Sequence, residues 1–374
     1  MMPEVVVVKE EGDRFGRVRR SALRYTVEFD ADRGAYLSRL APVGFLRHER
    51  RLARVAALGG GTGLPVVLRA LRRHLPPECR ITAVVTAADN GGSSGVLRER
   101  YGVLPPGDIR NCLIALARVA PEVSAALQYR LDGVAEPQHS VGNLLLTALD
   151  MVAADELTAI RLAADLLGVT DAVLPSTTGR VHLVADLAGG GSVRGESQIR
   201  RHGGPVARLR LDPPDIRPAP GVLESLRTAD TIILGPGSLY TSVLATLVIP
   251  GVIEAITAAS GARIYVCNLM TEPGETDGFG LAAHLDALAA HGLPPESLDY
   301  VLVNTGSIPS EVQARYTAGG AIPVAADHAP GRPPLVVPAD LLEPGPVARH
   351  APDKLGPVLC ELGSGHLKWN PNGA

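Results

Sequence analysis

Hydroxyl, amide and acid side chains sit among glycines in four short runs: GGGTGLP at Gly59 to Pro65, DNGGSSG at Asp89 to Gly95, PPGDIRN at Pro105 to Asn111 and GPGSLYTS at Gly235 to Ser242. The chemistry such runs do best is holding phosphate. Glycine lets backbone N–H groups reach an anion with no Cβ in the way, and a helix that follows adds the positive end of its dipole. Thr62, Ser93, Ser94, Ser238, Thr241 and Ser242 add hydroxyl donors. A turn that merely packs a helix on a strand explains any single run; together, with these hydroxyls, the runs point to phosphate. The third run also supplies Arg110 to clamp phosphate on two oxygens, Asp108 to orient it or hold a metal, and the amide of Asn111. An internal Asp108–Arg110 pair or a plain helix cap accounts for those residues equally well.

Two further stretches carry side chains suited to a site. His139-Ser-Val-Gly-Asn143 opens a helix after a proline, which places His139 for acid–base work or for a structural hydrogen bond, with Ser140 and Asn143 beside it. Asn268 and Thr271 follow a strand directly and suit hydrogen bonding to a base or sugar, Glu275 suits capping, hydroxyl binding or acid–base work, and Met270 suits packing. Asp89, Asp108 and His139 are the catalytic candidates, and Asp89 is the candidate for a metal such as Mg²⁺, but the residues alone establish neither a reaction nor a cofactor.

Several chemistries are disfavoured. A dinucleotide fingerprint wants Gly or Ala where Leu64 stands, and Asp89 comes 28 residues after Gly61, later than the usual ribose partner at about 20. No G-K-[ST] follows the glycines, so a P-loop is excluded, and no nucleophile elbow, HExxH or zinc-ligand cluster occurs. Cys79, Cys112, Cys267 and Cys360 lie far apart, which disfavours a disulfide framework and leads us to expect a reducing cytoplasm. Net charge is −3, too balanced to call for nucleic acid. No apolar run is long enough to span a bilayer, and we expect a cytoplasmic protein. Lysine is nearly absent among the 36 basic residues, which together with the Ala, Gly and Pro content reads as codon bias.

The elements that must position these groups alternate. Strands are expected at Val55 to Leu58, Ile81 to Thr86, Thr231 to Leu234, Arg263 to Cys267 and Tyr300 to Val303, and helices at Val66 to His74, Cys112 to Val119 and Leu144 to Ala154. Aromatics make up only 3% of the chain, so the core must be Ala, Val, Leu and Ile, as in parallel strands covered by helices. The expected fold is α/β: a Rossmann-like, doubly wound, mostly parallel sheet with helices on both faces. A small β-rich insertion is expected from Val181 to Leu211, turning at Gly189 to Gly191. Residues 1–52 read as an N-terminal extension, a small strand pair followed by a basic connector at Arg47 to Arg54, and residues 53–370 as one α/β domain. Beyond Val324 the tail reads as Pro-rich loop until Asp353.

The ordered set GGGTGLPVVLRAL, VTAADNGGSSGVLR, LPPGDIRNCLIALA, HSVGNLLL, LPSTTGRVHLVADL, GESQI, ADTIILGPGSLYTSVL and IYVCNLMTEPGET resembles the gluconeogenesis factor family, the YvcK/CofD-like proteins. The resemblance runs from Val55 to Asp277 and, more thinly, through RHAPDKLGPVL. It implies binding of a UDP-sugar, UDP-GlcNAc or UDP-glucose, and support of cell shape and peptidoglycan synthesis on gluconeogenic carbon, with a cell-wall enzyme as partner. By it, Gly60, Thr62, Gly63, Ser93, Ser94, Gly237 and Ser238 are phosphate-side contacts, Asn268 and Thr271 are nucleoside-side contacts, and Arg349 is a C-terminal basic contact. Gly61, Asn90, Arg110, Asn111, His139, Asn143 and Tyr240 complete the candidate ligand set. A more distant likeness to 2-phospho-L-lactate transferase implies transfer of a phosphoryl-linked group as the alternative. Against it, Asp89-Asn90 stands where that enzyme type has paired aspartates, which puts a two-carboxylate Mg²⁺ site in doubt. A homodimer is expected on general grounds.

Overall fold

The computed structural model describes residues 53–130, 138–328 and 333–364 in full, and the backbone of 4–12, 18–30 and 35–42. The N-terminal part holds three antiparallel strands rather than the expected pair: β1 (Glu4–Gly12), β2 (Val18–Asp30) and β3 (Ala35–Pro42), in the order β1-β2-β3. The expected basic connector falls largely outside the described residues.

From Arg54 the chain winds a parallel sheet. Its first half is β4 (Arg54–Gly59), α1 (Gly63–His74), β5 (Arg80–Val85), α2 (Gly92–Tyr101), α3 (Pro106–Leu116), α4 (Pro121–Gln128), α5 (Val141–Val152), α6 (Glu156–Leu166) and β6 (Ala172–Pro175). An insertion follows, with β7 (His182–Leu187), β8 (Ser192–Arg194), α7 (Glu196–His202) and β9 (Val206–Asp212). The second half is α8 (Val222–Thr228), β10 (Thr231–Leu234), a π-helical turn over Leu239–Leu244, α9 (Ala245–Leu247), α10 (Val252–Ala258), β11 (Ala262–Val266), α11 (Leu281–Ala290), β12 (Tyr300–Asn304), α12 (Ser310–Ala318), β13 (Leu335–Ala339) and α13 (Pro352–Gly363).

The seven strands run β13-β12-β11-β10-β4-β5-β6, all parallel. This is the doubly wound order, and its switch point lies between β4 and β10, where ligands bind in such sheets. Successive strand residues alternate between two cores. Ala56, Leu58, Ile232, Leu234, Tyr265 and Val301 pack on one face, and Val55, Ala57, Ile233, Ile264 and Leu302 on the other. Period-two alternation with both sides apolar is what burial on both faces demands.

The insertion is an antiparallel sheet, β8-β7-β9, that turns through Gly190 and Gly191 at positive φ, as expected there. Two expectations fail. Residues Glu196–His202 form a helix inside the stretch read as β-like, and the tail read as loop contains the edge strand β13. Among the described residues no single helix is long and apolar enough to cross a membrane; the bent pair Leu239–Leu247 and Val252–Ala258 has the composition but lies in the core.

Candidate functional site

At the carboxyl ends of β4, β5 and β10 the four glycine runs meet around one cleft of about 650 Å³. Helices α2, α3 and α5 start at its wall, and α1 starts two residues after Gly61, which lines it, so the positive ends of their dipoles lie at or near the cleft. Among the described residues neither α1 nor α2 has a first-turn amide taken by a side chain. In α3 the Gly107 N–H is taken by Ser94 Oγ, and in α5 the Asn143 N–H by Ser140 Oγ at 3.3 Å. Open helix starts facing a shared cavity form an anion cradle.

Polar side chains knit the cradle. Asp108 accepts the Gly61 N–H at 2.7 Å, and Ser94 Oγ accepts the Gly107 N–H at 3.1 Å. Ser93 Oγ lies 2.8 Å from His139 Nδ1 and accepts from Asn143 Nδ2 at 2.9 Å. Arg110 donates to Asn143 Oδ1 at 2.6 Å, to Asn111 Oδ1 at 2.8 Å and to the Ser140 hydroxyl. Its buried Nε–H finds no acceptor among the described residues. Asp108 and Arg110 share no direct hydrogen bond or ion pair among the described residues, although the charge of each still favours the charged form of the other.

Charges of both signs line the cleft: Arg110, Arg130, Arg200 and Arg201 face Asp89, Asp108 and Glu196. Burial, with the Asp89 charge adding to it, lifts the Asp108 carboxyl from 3.8 to about 6. The same two causes lift Glu196 to about 7. The folded state thus holds the Asp108 proton more tightly than the unfolded chain does. That contribution to stability is complete below about pH 4 and is lost as pH rises through 6. Asp108→Asn, which keeps an acceptor for Gly61, should therefore stabilise the fold by about 3 kcal/mol at pH 8 and have little effect at pH 4. Urea midpoints at the two pH values would show it, and equal shifts at both would refute the assignment.

Of the expected site residues, Gly61, Asp89, Ser93, Ser94, Asp108, Arg110, Asn111, Asn143 and Ser238 line the cleft. His139 reaches it only through Ser93. Gly60 lies just behind, where a Cβ would meet Thr86 Cγ2 at 2.5 Å and Asp108 Oδ2 at 2.7 Å. Gly63 serves packing instead: a Cβ there would stand 2.1 Å from the Pro236 carbonyl oxygen.

The fourth run is largely satisfied from within. Asn268 grips the Gly237 backbone, accepting at 3.0 Å and donating at 2.9 Å, and Ser238 Oγ donates to Glu272. Glu275 accepts from the backbone of Tyr240 and Thr241 at 3.2 Å each and from Thr241 Oγ1 at 2.8 Å. Burial and the nearby Glu272 raise that carboxyl to about 7.

Asn268, Thr271, Tyr240 and Gly237 therefore stand outside the cleft wall, their polar groups engaged by the protein. Asn268 lines a separate 150 Å³ cavity, and Thr271 exchanges hydrogen bonds with Ile322. Asn90 also turns away, toward Ser197. Thr62 and Arg349 meet in a second cavity of about 510 Å³, with Arg69, Arg73 and Lys354, that shares Asn111 with the main cleft. Burial and the flanking Arg73 and Arg349 lower the Arg69 pKa, against the attraction of Glu343.

Sequence reasoning missed Thr86, Arg130, Glu196, Arg200 and Arg201. The only signal for the last three was a charged run, ESQIRRH, too short for helical periodicity to show.

Among the described residues no three metal-binding side chains converge. Asp89 and Asp108 offer two carboxylates, enough for Mg²⁺ only if a ligand's phosphate oxygens complete the shell.

The sequence profile of the family described as 2-phospho-L-lactate transferase CofD matches residues 55–337. A gluconeogenesis factor of Bacillus subtilis is 43% identical over 272 residues, covering 72% of this chain and 84% of that protein. One of Listeria innocua is 41% identical over 261 residues, covering 69% and 80%. Protein BH3568 from Bacillus halodurans, solved by crystallography, superposes with a TM-score of 0.77 at 39% identity and covers 83% of this chain and 100% of its own.

Proposed function

For a chain that belongs to the CofD family and, within it, to the gluconeogenesis factors, we propose that the cradle captures a UDP-sugar, UDP-GlcNAc or UDP-glucose, and reports its level to cell-wall synthesis and cell shape on gluconeogenic carbon. The carrying observation is the convergence of open helix starts and arginines on one cleft, continued past Asn111 into the basic cavity of Arg69, Arg73 and Arg349. A diphosphate lies over the helix starts, where backbone N–H groups and Arg110 meet its oxygens. The two cavities share Asn111, so a nucleotide-sugar lying across it would meet both.

Calorimetry with UDP-N-acetylglucosamine is expected to give saturable binding. Arg349→Ala should weaken it by about tenfold, the scale of one charge-assisted contact. Affinity should also rise as pH falls from 8 to 6, because Asp108 and Glu196 take up protons and cease to repel the anion. No binding to any uridine or guanosine diphosphate compound would remove the proposal.

A second reading, transfer of a phosphoryl-linked group, is favoured by the Asp89–Asp108 pair at the helix starts. Asn90 does not weigh against it, since that side chain is committed to Ser197 rather than to the cleft. Bound Mg²⁺ would neutralise a diphosphate there, and Asp89 and Asp108 would hold it. A Mg²⁺-dependent product from a nucleotide diphosphate, lost in Asp89→Asn, would put this reading first.

A further inference from the structure

The insertion is fastened to the second glycine run at two points. Asn90 Oδ1 accepts from the Ser197 backbone N–H at 3.0 Å and from its hydroxyl at 2.6 Å. Helix α7 has no capping side chain of its own, so its first turn draws its acceptor from a loop 107 residues earlier. At the preceding Gly195, φ is +100° and a Cβ would stand 2.6 Å from Asn90 Nδ2, which leaves room for glycine alone. The second fastening is Arg98, buried on α2, which donates to the carbonyl of Asp89 at 3.3 Å and to that of Val181 at the entry to β7. The helix held this way brings Glu196, Ser197, Arg200 and Arg201 to the cleft. Arg200 stays half exposed and is steadied by Glu196 and Glu275 at 3.7 and 3.6 Å.

We propose that Asn90 is a positioning residue: by docking α7 onto the second glycine run it sets where Arg200 and Arg201 stand over the cleft, and so governs anion affinity without touching the anion. The effect on affinity rests on the nucleotide-sugar reading above; the docking itself does not. Guanidinium–phosphate attraction falls steeply with distance in water and salt, so arginines freed with α7 contribute little.

Hydrogen exchange of the intact chain, followed by mass spectrometry, separates the two claims. In Asn90→Ala the amides of 196–202 should exchange about tenfold faster, as expected for losing two hydrogen bonds that hold a short helix. Asn90→Asp keeps the acceptor oxygen and should restore protection. The Asn90→Ala dissociation constant for UDP-N-acetylglucosamine should rise about tenfold and become less salt-dependent. Unchanged exchange at 196–202 in Asn90→Ala overturns the docking, and faster exchange with unchanged affinity overturns the positioning role. If the wild-type chain binds no nucleotide-sugar while Asn90→Ala still frees α7, the ligand reading fails and the docking stands. Should Asn90→Ala not fold, Ser197→Ala, which deletes the 2.6 Å bond alone, carries the exchange test.

Discussion

Gly63→Ala is expected to cost about 3 kcal/mol of stability, the upper range of overpacking penalties. The added Cβ would stand 2.1 Å from the Pro236 oxygen, 2.6 Å from its carbonyl carbon and 3.1 Å from the Gly237 nitrogen. All three are backbone atoms, so no rotamer change relieves the clash. Nor can the loops drift apart easily, since β4 and β10 pair in register up to Leu58 and Leu234 just beneath them. At the first position of a helix alanine would otherwise gain up to about 1 kcal/mol over glycine; the clash decides the sign. Gly92→Ala is the control. Nothing lies within 4 Å of its Cβ position, and its φ of +48° makes only backbone strain, about 1 kcal/mol. Urea unfolding should show a large fall in midpoint for Gly63→Ala at constant slope and a small one for Gly92→Ala. Equal falls would mean that the first and fourth runs do not meet as described.

Arg110→Ala is expected to weaken UDP-sugar binding by about 30-fold, the loss of a charge-assisted fork of roughly 2 kcal/mol. Among the described residues Arg110 is tied to three different partners, Asn111, Ser140 and Asn143, and its Nε–H has no acceptor. It therefore comes to a ligand already oriented. Removing it also deletes the hydrogen bonds that tie the start of α3 to that of α5, so a modest drop in thermal stability should accompany the loss. Arg110→Lys restores charge but not the planar fork and should recover only part of the affinity. Calorimetry at two salt concentrations distinguishes the outcomes. Wild-type affinity in Arg110→Ala would place the phosphates elsewhere.

The sheet was legible where physics acts locally. Val55 to Leu58, Thr231 to Leu234 and Tyr300 to Val303 are short apolar runs stopped by glycine or asparagine, and each is a central parallel strand. β13 hid behind Pro338, which a strand tolerates here because β13 is the sheet's edge, a position that sequence does not reveal. Helix α7 hid because seven residues make only two turns. Within the site, the runs were legible but their division of labour was not. Gly61 and Gly63 are two residues apart, yet one lines the cleft and the other bears on the loop after β10. Asn90 reads as a ligand residue in its own run and becomes a clasp only once Ser197 is beside it.

The join between β4 and β10 also has a consequence for synthesis. Arg54 reaches across 176 residues to Asp230, and the strands beside them close the sheet at the switch point. On a ribosome adding about 5 to 20 residues per second, β4 emerges roughly 10 to 35 seconds before β10, its partner on one edge, exists. Throughout that interval an apolar strand, later wholly internal, offers a bare row of backbone donors and acceptors to any other nascent chain. On that edge the exposure ends when residues 231–234 arrive, and the open edge then passes outward to β10, β11 and β12 in turn as each next strand is made.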